Sequence, residues 1–123
     1  MAAPNLVNVS TITAKSFQEA LTTTLTNEII ANASSSGKVF KVNNIIIANI
    51  DGSSAVDVSV FITKSGGSPI AIASTISVPA DATLVVIDKN SALYLEEGDN
   101  LEAGASANSD ATITVNYEVL NDA

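Results

Sequence analysis

Residues 55–64, AVDVSVFITK, decide the fold, because apolar and polar side chains alternate along almost the whole stretch. Side chains of a β-strand point alternately to the two faces of a sheet, so a period of two marks a half-buried strand. The apolar positions are Val56, Val58, Val60 and Ile62. This pattern predicts a strand with one face in a hydrophobic core.

The preceding run, Val39 to Ile50, has a similar apolar pattern and predicts a second strand. The loop Asp51–Ala55 is short enough to join the two strands as an antiparallel hairpin. Matching their apolar positions sets Ile50 opposite Val56, Ile46 opposite Val60, and Ile45 opposite Phe61. In this register Phe40, Val42, Ile46, Ala48 and Ile50 point into the core.

The same register leaves an apolar patch on the other face of the hairpin, formed by Ile45, Ile47 and Phe61. Large apolar residues on an outward sheet face commonly mark a protein interface, so we expect these three to join the protomers of an oligomer. If another layer covers that face, the same residues are ordinary core packing.

Further strands with turn residues between them follow at a spacing of about 8 to 12 residues. They are predicted at Ile70–Val78, Thr83–Asp88, Ala92–Glu96, Leu101–Ala107 and Thr112–Leu120. The N-terminal third is less regular: we expect residues 1–15 to form an arm or a first strand, and residues 16–123 to form a single domain. The predicted fold is an all-β, antiparallel sandwich of eight or nine strands, with a jelly roll as the first choice.

The segments Ile29–Asn32 and Ile46–Asn49 both read Ile-Ile-Ala-Asn. The likeness is too short and isolated to indicate a repeat architecture, so we attribute it to composition.

Charge and composition exclude several functions. The 123 residues include thirteen Asp and Glu against five Lys, with no Arg, His or Cys, for a net charge of −8. Such a chain repels phosphate backbones, which argues against nucleic acid as a partner. The absent His and Cys remove imidazole acid–base catalysis, serine–histidine triads and the usual zinc sites. We therefore expect no enzyme activity and no cofactor, and the short apolar runs predict no membrane contact.

The densest charge cluster lies at residues 96–102. Its carboxylates, Glu96, Glu97, Asp99 and Glu102, are weak candidates for calcium ligands. The alternative is a solvated turn around Gly98-Asp99, which the missing EF-hand ligand order favours.

Two other features suggest binding. Tyr94 and Tyr117 could stack on a sugar, which keeps open a glycan- or host-surface-binding module as the alternative of another class. The weakly patterned N-terminal arm, with Asn5, Leu6, Val7 and Val9, could lie on a neighbouring subunit, and the alternative is a frayed terminus.

Three phrases carry a resemblance to a known family: KVFKVNNIIIANIDG (38–52), IASTISVPADATLVVI (72–87) and LYLEEGDNL (93–101). Together they resemble small virion proteins of tailed phages that infect marine cyanobacteria and similar hosts. The third phrase is also similar to the strand–turn–strand of jelly rolls of the C1q and tumour-necrosis-factor type.

The first resemblance implies a virion protein made in the host cytoplasm and carried on the phage head surface. It would be a decoration (cement) protein that binds the major capsid protein and stabilises the shell. The capsid contact would then be made by Asn5, Leu6, Val7 and Val9 of the arm. The second resemblance implies a homotrimer. A neck, tail or fibre component of the virion remains the alternative.

Overall fold

The computed structural model describes residues 9–122, with side chains up to residue 121. Within this range the chain forms nine β-strands, and a short 3-10 turn at Lys89–Ser91 separates the sixth from the seventh. The strands are β1 (Val9–Ala20), β2 (Asn27–Ala31), β3 (Lys38–Asn49), β4 (Val56–Thr63), β5 (Ile70–Val78), β6 (Thr83–Ile87), β7 (Leu93–Leu95), β8 (Asn100–Ala105) and β9 (Ala111–Asp122).

The strands form two sheets in which every pairing is antiparallel. The five-stranded sheet has the order β1-β9-β3-β6, with β7 also paired to β3, and the four-stranded sheet has the order β2-β8-β4-β5. The apolar faces of the two sheets enclose one core cluster. The prediction of an all-β antiparallel sandwich is confirmed.

The strand order is that of a jelly roll. β6 and β7 pair with different parts of the same edge of β3, so they act as one strand that the 3-10 turn interrupts. The remaining partners are β1 with β9, β2 with β8, and β4 with β5, which are the pairs of one long folded hairpin. Two further pairings, β9 with β3 and β8 with β4, wrap this hairpin into a double-layered sandwich.

The predicted hairpin between β3 and β4 is wrong. β3 belongs to the five-stranded sheet and β4 to the four-stranded sheet, so residues 50–55 carry the chain from one layer to the other. β4 pairs instead with β5 and β8, whereas Ile46 of β3 lies opposite Val85 and Thr114. A loop of this length can serve either arrangement, because sheets in a sandwich stack only about 10 Å apart.

The predicted outward patch is also wrong, because Ile45 and Ile47 are 0% exposed and belong to the core. The register of β3 against β9 shifts between Val42 and Asn44. One extra residue in a strand moves the following side chains to the opposite face. Val42 therefore faces the core before the shift, and Ile45 and Ile47 face it afterwards.

Neither buried isoleucine can contact another protomer in this fold. Phe61 lies in the other sheet, half-buried and opposite Glu102 of β8. The place of Phe61 at an oligomer interface stays a prediction, but Ile45 and Ile47 cannot lie beside it there.

The alternation in β4 does predict its burial, since Val56, Val58 and Val60 are at most 2% exposed. The inward positions of the closing strands are buried as expected: Leu101, Ala103, Ala105, Ile113 and Val115. The core is thus built mainly from branched aliphatic and alanine side chains.

Candidate functional site

The acidic turn between β7 and β8 is organised around Asp99, whose side chain is almost fully buried. One carboxylate oxygen, Oδ2, accepts hydrogen bonds from the Lys64 ammonium group and from the backbone N–H of Glu96. The other, Oδ1, accepts from the backbone N–H of Ser65 at 3.1 Å. Asp99 therefore fastens the β4–β5 turn to the β7–β8 turn.

The other three acidic side chains of the turn point to different partners. Glu96 lies 3.7 Å from the Lys64 ammonium and is largely exposed. Glu97 Oε2 accepts from the backbone N–H of Gly37 at 2.8 Å, while its Oε1 is buried without a hydrogen-bond partner. On β8, Glu102 accepts a hydrogen bond from the hydroxyl of Thr63 on β4 at 2.8 Å.

This arrangement does not resemble a calcium site. Within residues 9–122, no group of three acidic side chains is placed to hold a metal ion. The positive charge of Lys64 offsets the negative charge of the Asp99 carboxylate. The hydrogen bond to Asp99 raises the pKa of the Lys64 ammonium above its ordinary value. In this fold the Asp99–Lys64 ion pair has a structural role in the turn.

A groove of about 310 Å³ opens on the five-stranded sheet. Phe40 and Tyr117 are part of its wall, with ring centroids 5.4 Å apart and planes tilted by 35°. Burial raises the pKa of the Tyr117 hydroxyl. Two of the five lysines, Lys15 and Lys38, also line the groove, and none of its described lining residues is acidic. The described lining residues are Thr11, Thr13, Lys15, Lys38, Phe40, Tyr117, Val119 and Asn121.

The two tyrosines considered for sugar stacking lie on opposite faces of the five-stranded sheet. Tyr117 is opposite Val42, which faces the core, whereas Tyr94 is opposite Lys41 on the other side. They cannot form one platform, and only Tyr117 reaches the groove.

The predicted capsid contact falls mostly outside the described residues. Asn5, Leu6 and Val7 lie outside them, and Val9 is the first residue of β1, half-buried and paired with Asp122. β1 is an edge strand of the five-stranded sheet.

Apolar side chains are exposed at the edge of the sandwich opposite β1. There β5 is the edge strand of the four-stranded sheet, and β6 is the last strand in the order of the five-stranded sheet. Ile70 and Ile76 of β5 lie opposite Ile62 and Val58, so they share the face that forms the core. They are nevertheless 62% and 39% exposed. We call this edge the apolar flank, defined by Ile70, Ile72 and Ile76 of β5.

The apolar flank was not predicted as a site. The sequence does carry a signal for it, because Asp81 is the only charged residue between Lys64 and Asp88. An uncharged stretch of this kind can equally be two central strands, and only the strand order shows that β5 and β6 are edges.

The described residues thus define a jelly-roll sandwich with a structural acidic turn, a lysine-lined groove and an apolar flank. No helix in the described part of the chain combines the length and apolar character needed to cross a membrane.

The chain matches no protein-family model and no curated protein. Among solved structures it is similar to the capsid of Ralstonia phage GP4, with 11% identity and a TM-score of 0.43 over 100% of this chain and 92% of that chain. It is also similar to the structure of infectious bursal disease virus, Gt strain, with 9% identity and a TM-score of 0.38 over 92% of this chain and 38% of that chain. At these identities and TM-scores we base no conclusion on either likeness.

Proposed function

We propose that this protein is a virion structural protein, namely a decoration protein that binds the outside of a phage head and stabilises it. The observation that carries the proposal is the apolar flank, where side chains on the core face of β5 remain open to solvent. Uncovered apolar surface of this kind is characteristic of proteins that dock onto other proteins. The likeness of residues 38–52, 72–87 and 93–101 to small phage virion proteins supplies the setting.

The stabilisation would follow from mass action. A protein that binds the expanded capsid lattice, and not the unexpanded one, stabilises the expanded lattice by its binding free energy. A homotrimer would engage several major capsid subunits at once and gain avidity, provided that its geometry matches the lattice.

The N-terminal residues are the proposed contact with the major capsid protein. Residues 1–14 contain no charged side chain, so this segment can lie on another protein without carrying the chain's negative charge into the contact. Asn5, Leu6, Val7 and Val9 are the residues proposed to make it.

Cosedimentation of the purified protein with empty phage heads tests the proposal. We expect the protein to sediment with expanded heads and to raise the temperature at which they disassemble. A variant lacking residues 1–8 is expected to keep its fold, monitored by circular dichroism, and to lose most of this binding. Failure of the intact protein to bind expanded heads would contradict the proposal.

The groove favours a second candidate function, the binding of a glycan that carries a carboxylate. Lys15 and Lys38 offer positive charge beside the Phe40–Tyr117 pair, within a chain of net charge −8. A glycan array tests this function with wild type and the double variant Lys15→Ala/Lys38→Ala. Binding of acidic glycans by the wild type alone would support it, and the absence of any bound glycan would rule it out.

A further inference from the structure

Strand β5 is an edge strand whose side chains are mostly exposed, and of its nine residues only Val78 is buried. Ile70 and Ile76 are on the core face and yet remain uncovered, because the sandwich is open where β5 and β6 end the two sheets. Single exposed apolar residues are normal on a protein surface, but three isoleucines on one strand of nine residues form a patch.

The charge distribution indicates which partner fits this patch. The chain carries a net charge of −8, so two copies repel each other over most orientations. β5 and β6 contain no charged residue; Asp81 lies in the turn between them, and Asp88 directly follows β6. Two copies can therefore meet at this edge with little repulsion between their side chains. A basic partner would find few carboxylates there to pair with.

We propose that the apolar flank is the contact through which this chain associates with a second copy of itself. Ile70 and Ile76 of one copy would be covered by apolar side chains of the next, which completes the burial of core-facing residues that the isolated sandwich leaves open. This contact replaces the buried pair Ile45 and Ile47 as the protomer interface.

The contact would be made by side chains more than by a continuous β-ladder. The register of β5 against β4 shifts twice, between Val58 and Val60 and between Val60 and Phe61. Beside the first shift Thr75 has a φ of 52°, and its backbone N–H donates to the Ser59 hydroxyl at 2.9 Å. Bulges of this kind bend an edge strand and disfavour edge-to-edge pairing along its length.

The inference deepens the proposed function, since an oligomer is what would give a decoration protein its avidity, but it can fail separately. A protein that is monomeric in solution and still binds phage heads would overturn the self-association and leave the decoration role standing.

Size-exclusion chromatography with light scattering, over a concentration series, tests the proposal on the full chain. We expect an oligomer for the wild type and at least a tenfold weaker association for Ile70→Asp, because the variant would bury a charge at the contact. The matched control is Ile12→Asp on β1, since Ile12 is 63% exposed and Ile70 is 62% exposed. The control should associate like the wild type.

Two further measurements keep the test decisive. Ile72→Lys changes the same edge with the opposite charge and should also weaken association, and circular dichroism establishes that each variant is folded. Added salt should strengthen the wild-type association, because it screens the repulsion between like-charged copies. A monomeric wild type at roughly 100 μM, equal weakening by Ile12→Asp and Ile70→Asp, or association that weakens with salt would each overturn the proposal.

Discussion

Asn32 and Asn49 do the same structural work at two successive crossings of the chain between the sheets, from β2 to β3 and from β3 to β4. Each is buried, and each follows the sequence Ile-Ile-Ala at the end of a strand. The Asn32 amide donates to the carbonyls of Lys38 and Leu95, and the Asn49 amide donates to those of Ser54, Val78 and Pro79. The shared segment that we attributed to composition therefore corresponds to a shared way of ending a strand.

Replacing Asn49 by alanine should destabilise the fold markedly. The variant would leave backbone carbonyls without their donor where β3 crosses to β4 and where β5 turns to β6. We expect the free energy of unfolding to fall by about 3 kcal/mol, since an unsatisfied buried polar group costs roughly 1–3 kcal/mol. Urea denaturation measures the change, with Asn90→Ala at an exposed position as the control. A loss no larger than that of the control would contradict the assigned role.

Asp99→Ala should also destabilise the protein, because the Asp99 carboxylate joins Lys64 to the backbone of Ser65 and Glu96. We expect a loss of about 2 kcal/mol, below the 3–5 kcal/mol typical of a fully buried pair, because Lys64 is about half exposed. The matched control is Glu96→Ala, which removes only the exposed partner and should cost less than about 1 kcal/mol. Equal losses would show that Asp99 is not the centre of the turn.

The same ion pair predicts a loss of stability at high pH. The hydrogen bond that the Lys64 ammonium donates to Asp99 raises the pKa of Lys64 above the ordinary value of 10.5. A raised pKa gives stability that is complete below the unfolded-state value and is lost as the pH rises through the folded-state value. Urea unfolding should therefore show falling stability above pH 10.5, and Lys64→Met should show less of this fall. The pKa of Tyr117 is also raised, by burial, and so it contributes to the same loss of stability at high pH. Tyr117→Phe is therefore needed as a second reference. Identical profiles for wild type and Lys64→Met would refute the prediction.

Gly104→Ala should be poorly tolerated, for steric reasons. A β-carbon at Gly104 would lie 2.4 Å from the Leu25 α-carbon and 2.5 Å from the Thr24 carbonyl oxygen, both backbone atoms. The segment before β2 would have to move off β8, and we expect a loss of about 3 kcal/mol. Gly52→Ala is the control, because its nearest neighbour would be the Asp81 carboxylate at an ordinary 3.6 Å. Thermal unfolding of the two variants would expose an error if their midpoints agreed.

Calcium should leave the melting temperature unchanged at millimolar concentration. Both oxygens of Asp99 already accept hydrogen bonds, and Glu102 is engaged with Thr63. Calcium would have to displace these donors before it could coordinate the turn. Differential scanning calorimetry with calcium, and with magnesium as the control, checks the prediction. A rise in midpoint specific to calcium would reinstate the candidate ligands.

The sandwich was predictable from local pattern, whereas its connectivity was not. The alternation in residues 55–64 identifies β4 and its buried face, because both follow from the period of two alone. Pairing β4 with β3 failed because adjacency in sequence favours a hairpin, while these two strands lie in different layers.

The Ile45 and Ile47 part of the candidate interface failed for a separate reason. A single register shift near Asn43 reversed which residues of β3 face the core, and no feature of the sequence marks it. The apolar flank was missed because exposure at an edge depends on which strands lack neighbours, which is a property of the whole topology.

The most direct test of the decoration role is to label this protein in intact virions and locate it by electron microscopy. We expect many copies distributed over the outer surface of the head. Label confined to the neck, tail or fibres, or absent from the virion, would contradict it.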